Sequence, residues 1–269
     1  MKLEIFQVDA FTCKPFGGNP AAVVPLEAWL PDKVMQRIAL ENNLSETAFF
    51  VRNEDVYDLR WFTPTFEIDL CGHATLATAF VIFTIIGCEE KILKFETKSG
   101  WLTVEKVGDR FVLDFPSRPA AACEIPAGLI EAIGKEPKEV LRSRDYMLVY
   151  ETEAEVKAIE PDFAALLKIN THAVIVTAKG DTADFVSRFF APKAGVFEDP
   201  VTGSAHCTLI PYWAERLGKT EMFARQVSRR GGELFCELAG DRVKIGGNAT
   251  LYLKGEIYIE TASQSVAAV

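Results

Sequence analysis

The sequence lacks an apolar run long enough to span a membrane. The longest such run, residues 74–88, has 15 residues, whereas a spanning helix needs about 20, so we expect a helix that is buried on all sides within the fold. The six cysteines are scattered without a C-x-x-C pair. Residues 1–11 alternate like a strand and do not form the apolar centre of a signal peptide. We therefore expect reduced thiols, a cytoplasmic location and no membrane partner.

Positive charge is also scarce. The 269 residues carry a formal net charge of −9, which opposes binding to the phosphates of nucleic acid. Two short basic clusters, residues 142–144 and 225–230, are interpreted as solvated loops or strand edges. The sequence therefore predicts no nucleic-acid partner.

Familiar motifs for cofactors and metals are missing as well. Residues 17–20 (GGNP) have neither the lysine of a P-loop nor the spacing of a dinucleotide fingerprint, so they predict a turn. Cys71, His73, His206 and Cys207 would form a mixed zinc ligand set only if folding brought them together, and neither pair has the customary ligand spacing. We expect no metal and no cofactor.

What the sequence does contain is a repeat, because three blocks recur in the same order about 130 residues apart. The paired blocks are residues 61–64 and 189–192 (WFTP and FFAP), residues 71–75 and 202–206, which each open an apolar helix, and residues 100–110 and 232–242, which share a Gly-Asp-Arg turn. This pattern predicts an α+β fold of two similar halves, each with strands around one apolar helix and a β-hairpin.

The boundary between the halves is predicted in the proline-rich residues 115–127. It gives an N-terminal half of residues 1–116 and a C-terminal half of residues 117–269, whose last strand could pack back on the first half. Further helices are predicted at residues 32–43 and 127–133, further strands at residues 48–51, 58–62, 173–177 and 251–259, and an irregular tail at residues 262–269.

Duplication also predicts where a functional site would lie. If the halves pack symmetrically, the two apolar helices can aim their N-termini, at Gly72 and Gly203, at one cleft. Each N-terminus offers unpaired backbone N–H groups and a partial positive charge, which attract an anion such as a substrate carboxylate. In the alternative interpretation, both glycines merely satisfy the geometry of a turn.

Several polar residues near these helix starts could carry chemistry. Glu46 precedes an apolar strand, where partial desolvation would suit a general acid or base, unless it simply faces water. His73 could relay a proton or merely close the helix start. Asp199 could take part in the chemistry near the start of the second helix or merely form a turn. Thr202 and Ser204 could cap the second helix or bind substrate.

The residues also resemble a known family over essentially the whole chain. Blocks similar to those of the PhzF-like proteins of phenazine biosynthesis occur in the same order and spacing: residues 16–23 (FGGNPAAV), 43–49 (NLSETAF), 61–64 (WFTP), 69–75 (DLCGHAT), 188–192 (RFFAP) and 198–205 (EDPVTGSA). Any one block alone is weak, but together they are specific.

The resemblance implies a diaminopimelate-epimerase-like fold, in which each half is a curved, mostly antiparallel sheet around a central helix. It also implies a cofactor-independent isomerase, often a homodimer, that shifts a proton within a small carboxylate such as a dihydro-hydroxyanthranilate. The family's acid/base glutamate falls on Glu46, its histidine on His73 and its aspartate on Asp199. The substrate-binding set expected from the matched motifs is Asn19, Gly72, Thr202, Gly203 and Ser204.

We therefore expect Glu46 to move a proton between carbons of an unsaturated or cyclic carboxylate, while His73 and Asp199 orient the substrate and hold protons. Two alternatives stay open. Related epimerases invert an amino-acid α-carbon with one cysteine from each half, and Cys71 stands close to the first of these positions, although no thiol matches the second. The second alternative is a non-catalytic small-molecule-binding protein on the same fold.

Overall fold

The computed structural model describes residues 1–259, most of whose regular structure consists of β-strands. The elements up to residue 116 are β1 (Lys2–Ala10), β2 (Asn19–Leu26), α1 (Asp32–Asn42), β3 (Glu46–Asn53), β4 (Val56–Phe62), β5 (Glu67–Ile68), α2 (Gly72–Phe80) with a π-helical continuation (Val81–Ile86), β6 (Ile92–Thr97), β7 (Gly100–Val107) and β8 (Arg110–Pro116). The elements after it are β9 (Ala121–Ala122), α3 (Leu129–Ile133), β10 (Glu139–Arg142), β11 (Tyr146–Val149), α4 (Glu153–Lys157), α5 (Phe163–Leu166), β12 (Val174–Lys179), β13 (Phe185–Ala191), a 3-10 turn (Pro192–Ala194), β14 (Val196–Asp199), α6 (Gly203–Leu217), β15 (Glu221–Gln226), β16 (Gly232–Ala239), β17 (Arg242–Gly247) and β18 (Ala249–Tyr258).

Strand pairing repeats between the halves. In the first half β2 and β3 are parallel, β3 and β4 antiparallel, β4 and β6 parallel, and β6, β7 and β8 antiparallel. Strands β11, β12, β13, β15, β16 and β17 repeat this order and these directions in the second half. The predicted α+β fold of two similar, mostly antiparallel halves is therefore confirmed.

The two halves are joined by strands at their edges. Strand β17 pairs with β8, and β18 returns to pair with β1 along its length. Buried side chains from α2, α6 and the surrounding strands form one continuous apolar core. The predicted boundary at residues 116 and 117 falls between β8 and β9 and stays a prediction.

Both predicted hairpins are confirmed. Val107 pairs with Arg110, and Ala239 pairs with Arg242, so each hairpin closes with a two-residue Gly-Asp turn. The glycines of these turns have positive φ, which costs glycine little because it has no Cβ.

The apolar run of residues 74–88 forms α2 and its π-helical continuation, most of which is buried. The expectation of burial on all sides is wrong for the last turn, because Ile86 is 52% exposed. The helix leaves the core there and ends at Gly87, whose left-handed conformation is a common helix stop.

Most other predicted elements are confirmed with small shifts in their ends. Helix α1 and strands β3, β4, β12 and β18 cover the predicted segments. Helix α3 begins at Leu129, two residues later than predicted, because Gly128 has a positive φ that precedes the helix. The expected tail at residues 262–269 lies outside the described residues. No helix within residues 1–259 is both long and apolar enough to cross a membrane.

Helix α6 contains a proline that leaves one of its carbonyls free. Pro211 has no N–H group, so it cannot bond the carbonyl of Cys207 four residues earlier. That carbonyl instead accepts the backbone N–H of Arg118 at 2.9 Å. This hydrogen bond fixes the segment that links the two halves, residues 117–120, against α6.

Candidate active site

The N-termini of α2 and α6 meet at one cavity of about 350 Å³. A Cβ placed on Gly72 would lie 3.5 Å from the Cα of Gly203, so the two helix starts are in backbone contact. Neither glycine has a positive φ. Turn geometry therefore does not require glycine at either position, and a Cβ would make only ordinary contacts there. The missing side chains leave room for a ligand to approach the backbone.

Both helices begin without a side-chain cap among the described residues. Thr202 stands at the N-cap position of α6, but its hydroxyl donates to Asp199 Oδ2 at 2.5 Å and does not cap the helix. Ser204 lies inside the first turn, so the capping interpretation is wrong for both. The first backbone N–H groups of α2 and α6 can therefore bind a ligand at the cavity.

Glu46 and His73 face each other in this cavity. Glu46 is the first residue of β3, and its Oε2 lies 3.0 Å from Nε2 of His73, with side chains only 13% and 6% exposed. The pair is not aligned as a hydrogen bond, and neither atom has another hydrogen-bond partner within residues 1–259. Apart from each other, the two facing atoms thus have hydrogen-bonding capacity left for a ligand in the cavity.

The other ring nitrogen of His73 is surrounded by protein groups. Its Nδ1 lies 3.1 Å from Asn19 Nδ2 and 3.5 Å from Cys71 Sγ. Burial alone lowers the pKa of His73, but Cys71 and Glu46 beside it raise that pKa well above 6.5. Burial also raises the pKa of the Cys71 thiol to about 11. Glu46 is therefore the neighbour that favours imidazolium at neutral pH.

Asp199 ends β14 and is partly buried. Its Oδ1 accepts from Asn19 Nδ2 at 2.7 Å, and its Oδ2 accepts from the hydroxyl of Thr202. Burial, with a further contribution from the charge of Glu46, raises the pKa of Asp199 to about 6, although His73 and the two donors oppose this. Asp199 therefore exchanges a proton near neutral pH.

Asn19 reaches the site from the Gly-Gly-Asn-Pro turn. This turn requires glycine, since Gly18 has a φ of +60° and a Cβ there would lie 2.0 Å from the carbonyl oxygen of Ala10. Arg230 holds the turn by donating to the carbonyls of residues 17 and 18 and to Asp9. The interpretation of residues 225–230 as solvated is therefore wrong for Arg230, whose guanidinium joins the two halves.

Gln226, at the end of β15, belongs to no motif in the sequence, yet it is only 1% exposed and lies beside Asp199. Its Oε1 accepts the backbone N–H of Thr202 at 2.9 Å. Its Nε2 lies 2.7 Å from the carbonyl oxygen of Asp199 and 3.2 Å from the hydroxyl of Thr202. Since Gln226 supplies a donor to this hydroxyl, the Thr202 proton points at Asp199.

Two arginines of the cavity wall were also missed. Arg144 donates to Ser204 Oγ at 3.2 Å and pairs with Asp145, which also contacts His172. Arg144 lies in an exposed loop, as interpreted for residues 142–144, but its guanidinium also reaches the cavity wall. Arg118, in the proline-rich link, lines the same cavity. Only the folded link places Arg118 beside α6, so no sequence signal identifies it.

The two acids of the site do not occupy equivalent positions in the repeat. Trp61 pairs with Ile68 in the first half, and its counterpart Phe189 pairs with Asp199 in the second. Likewise Thr47 and Val174 pair with equivalent phenylalanines, which matches Glu46 to Ala173. Each half thus contributes one carboxyl group where the other half has an apolar residue, and the cavity is chemically asymmetric.

Within residues 1–259, one group of three potential metal ligands lies within 4.8 Å: Glu46, Cys71 and His73. His206 is not part of it. The Nδ1 of His206 lies 2.8 Å from the carbonyl oxygen of Thr202, and burial lowers the pKa of His206 to about 4. The expected absence of a metal stays a prediction.

Comparison with known proteins gives the family. Residues 8–255 match the PhzC-PhzF family of phenazine biosynthesis-like proteins. A Pseudomonas aeruginosa protein named as an uncharacterized isomerase is 52% identical over 259 residues, which cover 96% of this chain and all of that protein. The chain belongs to the PhzF-like family.

Solved structures agree with this assignment. A PhzF family protein from Enterococcus faecalis has a TM-score of 0.94 and 52% identity, covering 96% of this chain and 100% of that one. A hydroxyproline epimerase from Agrobacterium vitis, at 11% identity and a TM-score of 0.63, shares the fold alone. The predicted diaminopimelate-epimerase-like fold is confirmed, and isomerase is the reaction class named within this PhzF-like family.

Proposed function

We propose that this PhzF-like protein is a cofactor-independent isomerase that moves a proton within a small unsaturated or cyclic carboxylate. The observation that carries the proposal is the Glu46–His73 pair, which lies at the cavity where two uncapped helices meet and makes no other hydrogen bond through the two facing atoms within residues 1–259. It combines a carboxylate base with backbone donors for an anion in a single small cavity.

The substrate carboxylate binds at the N–H groups of the helix starts, near Gly72 and Gly203. These donors and the positive ends of the two helices favour an anion there. As a proton leaves a carbon conjugated to the carboxylate, negative charge spreads onto the carboxylate oxygens. Donors that are already in place stabilise this developing charge more than the ground state, which lowers the barrier.

Glu46 removes the proton from carbon and returns it to another carbon of the conjugated system. The C–H bond breaks as an O–H bond forms on Glu46, and the electron pair shifts into the conjugated system. The O–H proton on Glu46 exchanges with solvent, and its delivery to carbon restores the carboxylate, so the cycle needs no oxidant or external base. The His73 ring lies 3.0 Å from the restored carboxylate and pairs with it.

Asn19 contacts both His73 and Asp199 and so positions the two side chains. Asp199, with its pKa of about 6, contributes a second site where a proton can reside. Ser204, held by Arg144 at 3.2 Å, presents its hydroxyl and backbone N–H to the carboxylate. Thr202 completes this group by fixing the orientation of Asp199.

Proton exchange tests the proposal directly. Unsaturated and cyclic carboxylates are incubated with the protein in D2O, and NMR follows replacement of C–H by C–D and any change in double-bond position. Glu46→Gln should slow the exchange about a hundredfold to ten-thousandfold with little change in binding. The matched control is Glu41→Gln, an exposed glutamate of α1, which should exchange normally. Unchanged exchange in Glu46→Gln would remove Glu46 from its proposed role.

Treatment with a chelator tests the expected absence of a metal. Exchange should continue at the same rate in EDTA, because the proposed steps use only protein groups. Loss of exchange on chelation, with recovery on adding zinc, would show that the reaction needs a metal, for which Glu46, Cys71 and His73 are the candidate ligands.

The main alternative is a two-base epimerase that inverts an amino-acid α-carbon. It has weaker support, because the counterpart of Cys71 at the start of α6 is Thr202 and burial keeps the Cys71 thiol protonated at neutral pH. Scrambling of configuration together with deuterium uptake would favour it. Binding without any exchange would favour the non-catalytic alternative. The cytoplasmic location and the homodimer stay predictions.

A further inference from the structure

Arg118 presents an unneutralised charge to the cavity. It is half-buried and lines the cavity wall. Within residues 1–259 its guanidinium forms no ion pair with the three acids of that wall, Glu46, Asp69 and Asp199, and no other side-chain hydrogen bond. Its backbone is nevertheless fixed, because its N–H donates to the carbonyl of Cys207 that Pro211 leaves free.

Arg144, the other arginine of the wall, differs in this respect. Its charge is balanced by Asp145, which is only 5% exposed, and one of its N–H groups is committed to Ser204. Both arginines line the cavity, but of the two only Arg118 has a guanidinium without an ion-pair partner within residues 1–259.

The substrate carboxylate proposed at the helix starts does not explain why Arg118 has no ion-pair partner within residues 1–259. That carboxylate is matched by the two helix starts and by Ser204, which Arg144 holds. A guanidinium without an anionic partner in a cavity of about 350 Å³ is typical of a site that recognises a carboxylate or phosphate, since its fork of donors fits these groups.

We propose that Arg118 binds a second anionic group, so that the substrate is a small diacid with one acidic group at the helix starts and the other at Arg118. The inference rests on the proposed function for the first carboxylate. It makes Arg118 a specificity-determining residue that selects diacids over monoacids. It assigns Arg118 no part in proton transfer.

Two six-carbon dienes test this proposal. Sorbate and trans,trans-muconate share one conjugated skeleton and differ in having one or two carboxylates. Calorimetry on the full chain should show muconate binding about tenfold or more tighter than sorbate, the usual effect of one charge-assisted contact. In Arg118→Gln this preference should disappear through weaker muconate binding, while sorbate binding stays unchanged.

The matched control is Arg37→Gln, which removes the same charge from an exposed position of α1 and should keep the preference for muconate. Equal affinities in the unaltered protein, a preserved preference in Arg118→Gln, or no binding of either diene at millimolar concentration would each overturn the proposal.

Calorimetry measures binding and does not depend on proton exchange. The proposed isomerase function and the proposed binding of diacids by Arg118 can therefore be tested independently. Normal proton exchange on a monoacid together with equal affinities for the two dienes would overturn the diacid assignment alone. A clear preference for muconate, without exchange on any carboxylate, would overturn the proposed isomerase and leave the role of Arg118 intact.

Discussion

A Cβ built on Gly203 would lie 3.6 Å from the Cα of Gly72, although 131 residues separate the two glycines. This distance is an ordinary contact, so Gly203→Ala should fold, with a change in the free energy of unfolding of about 1 kcal/mol or less. The added methyl group would occupy the space between the helix starts. Muconate affinity, measured by calorimetry, should fall at least about tenfold, the size of one charge-assisted contact. The control is Gly255→Ala, because Gly255 also has a negative φ and only ordinary contacts with its neighbours. Unchanged affinity in Gly203→Ala would show that the anion does not bind at the helix starts.

Asp199 should make the stability of the protein depend on pH. Its pKa is about 6 in the folded protein and near the ordinary 3.8 in the unfolded chain, so the folded state holds the extra proton between these values. The stabilisation is complete below pH 3.8 and is lost as the pH rises through 6. Asp199→Asn removes this effect, so its stability relative to the unaltered protein should rise by about 3 kcal/mol from pH 3.5 to pH 7.

Chemical unfolding at a series of pH values measures this difference. Comparing the two proteins at each pH cancels the other carboxylates, which titrate in both. A constant difference across the range would show that Asp199 titrates as an ordinary carboxylate.

Gln226 should act as a positioning residue for Asp199. Gln226→Met keeps the length of the side chain but leaves the buried N–H of Thr202 without an acceptor, which should cost about 1–3 kcal/mol of stability. The Thr202 hydroxyl is then free to turn away, and the pKa of Asp199 should rise further. The acidic limb of the proton-exchange profile should therefore move to higher pH, as should the pH at which stability is lost.

A purely structural role for Gln226 would lower stability and leave the pH profile in place. Gln7→Met, in β1 and outside the cavity wall, provides the comparison for loss of one glutamine. A profile identical in all three proteins would contradict the positioning role.

Pro211 should hold the link that delivers Arg118. In Pro211→Ala the new N–H competes with that of Arg118 for the carbonyl of Cys207. The amide of Arg118 should then exchange with solvent faster, and the preference for muconate over sorbate should shrink. Hydrogen exchange followed by NMR measures this, with the amides of α2 as internal reference, and an unaltered Arg118 amide would contradict the competition.

The sequence by itself determined the repeated architecture and the family. Hairpins at residues 100–110 and 232–242, the apolar helices after Gly72 and Gly203, and the α+β class all follow from local patterns, since apolar periodicity and turn residues act over a few positions. The motifs that resemble the PhzF-like proteins also identified Glu46, His73 and Asp199 as candidates, and the fold brings these three to one cavity.

Only the tertiary structure decided which polar groups meet there. Glu46 and His73 become neighbours because the start of β3 and the start of α2 converge, and Gln226 reaches Thr202 from a different strand. The sequence does not show whether an arginine faces only solvent or also contacts another part of the fold. The positions of the Arg118, Arg144 and Arg230 side chains depend on the packing of the two halves, and therefore on contacts between residues far apart in the chain.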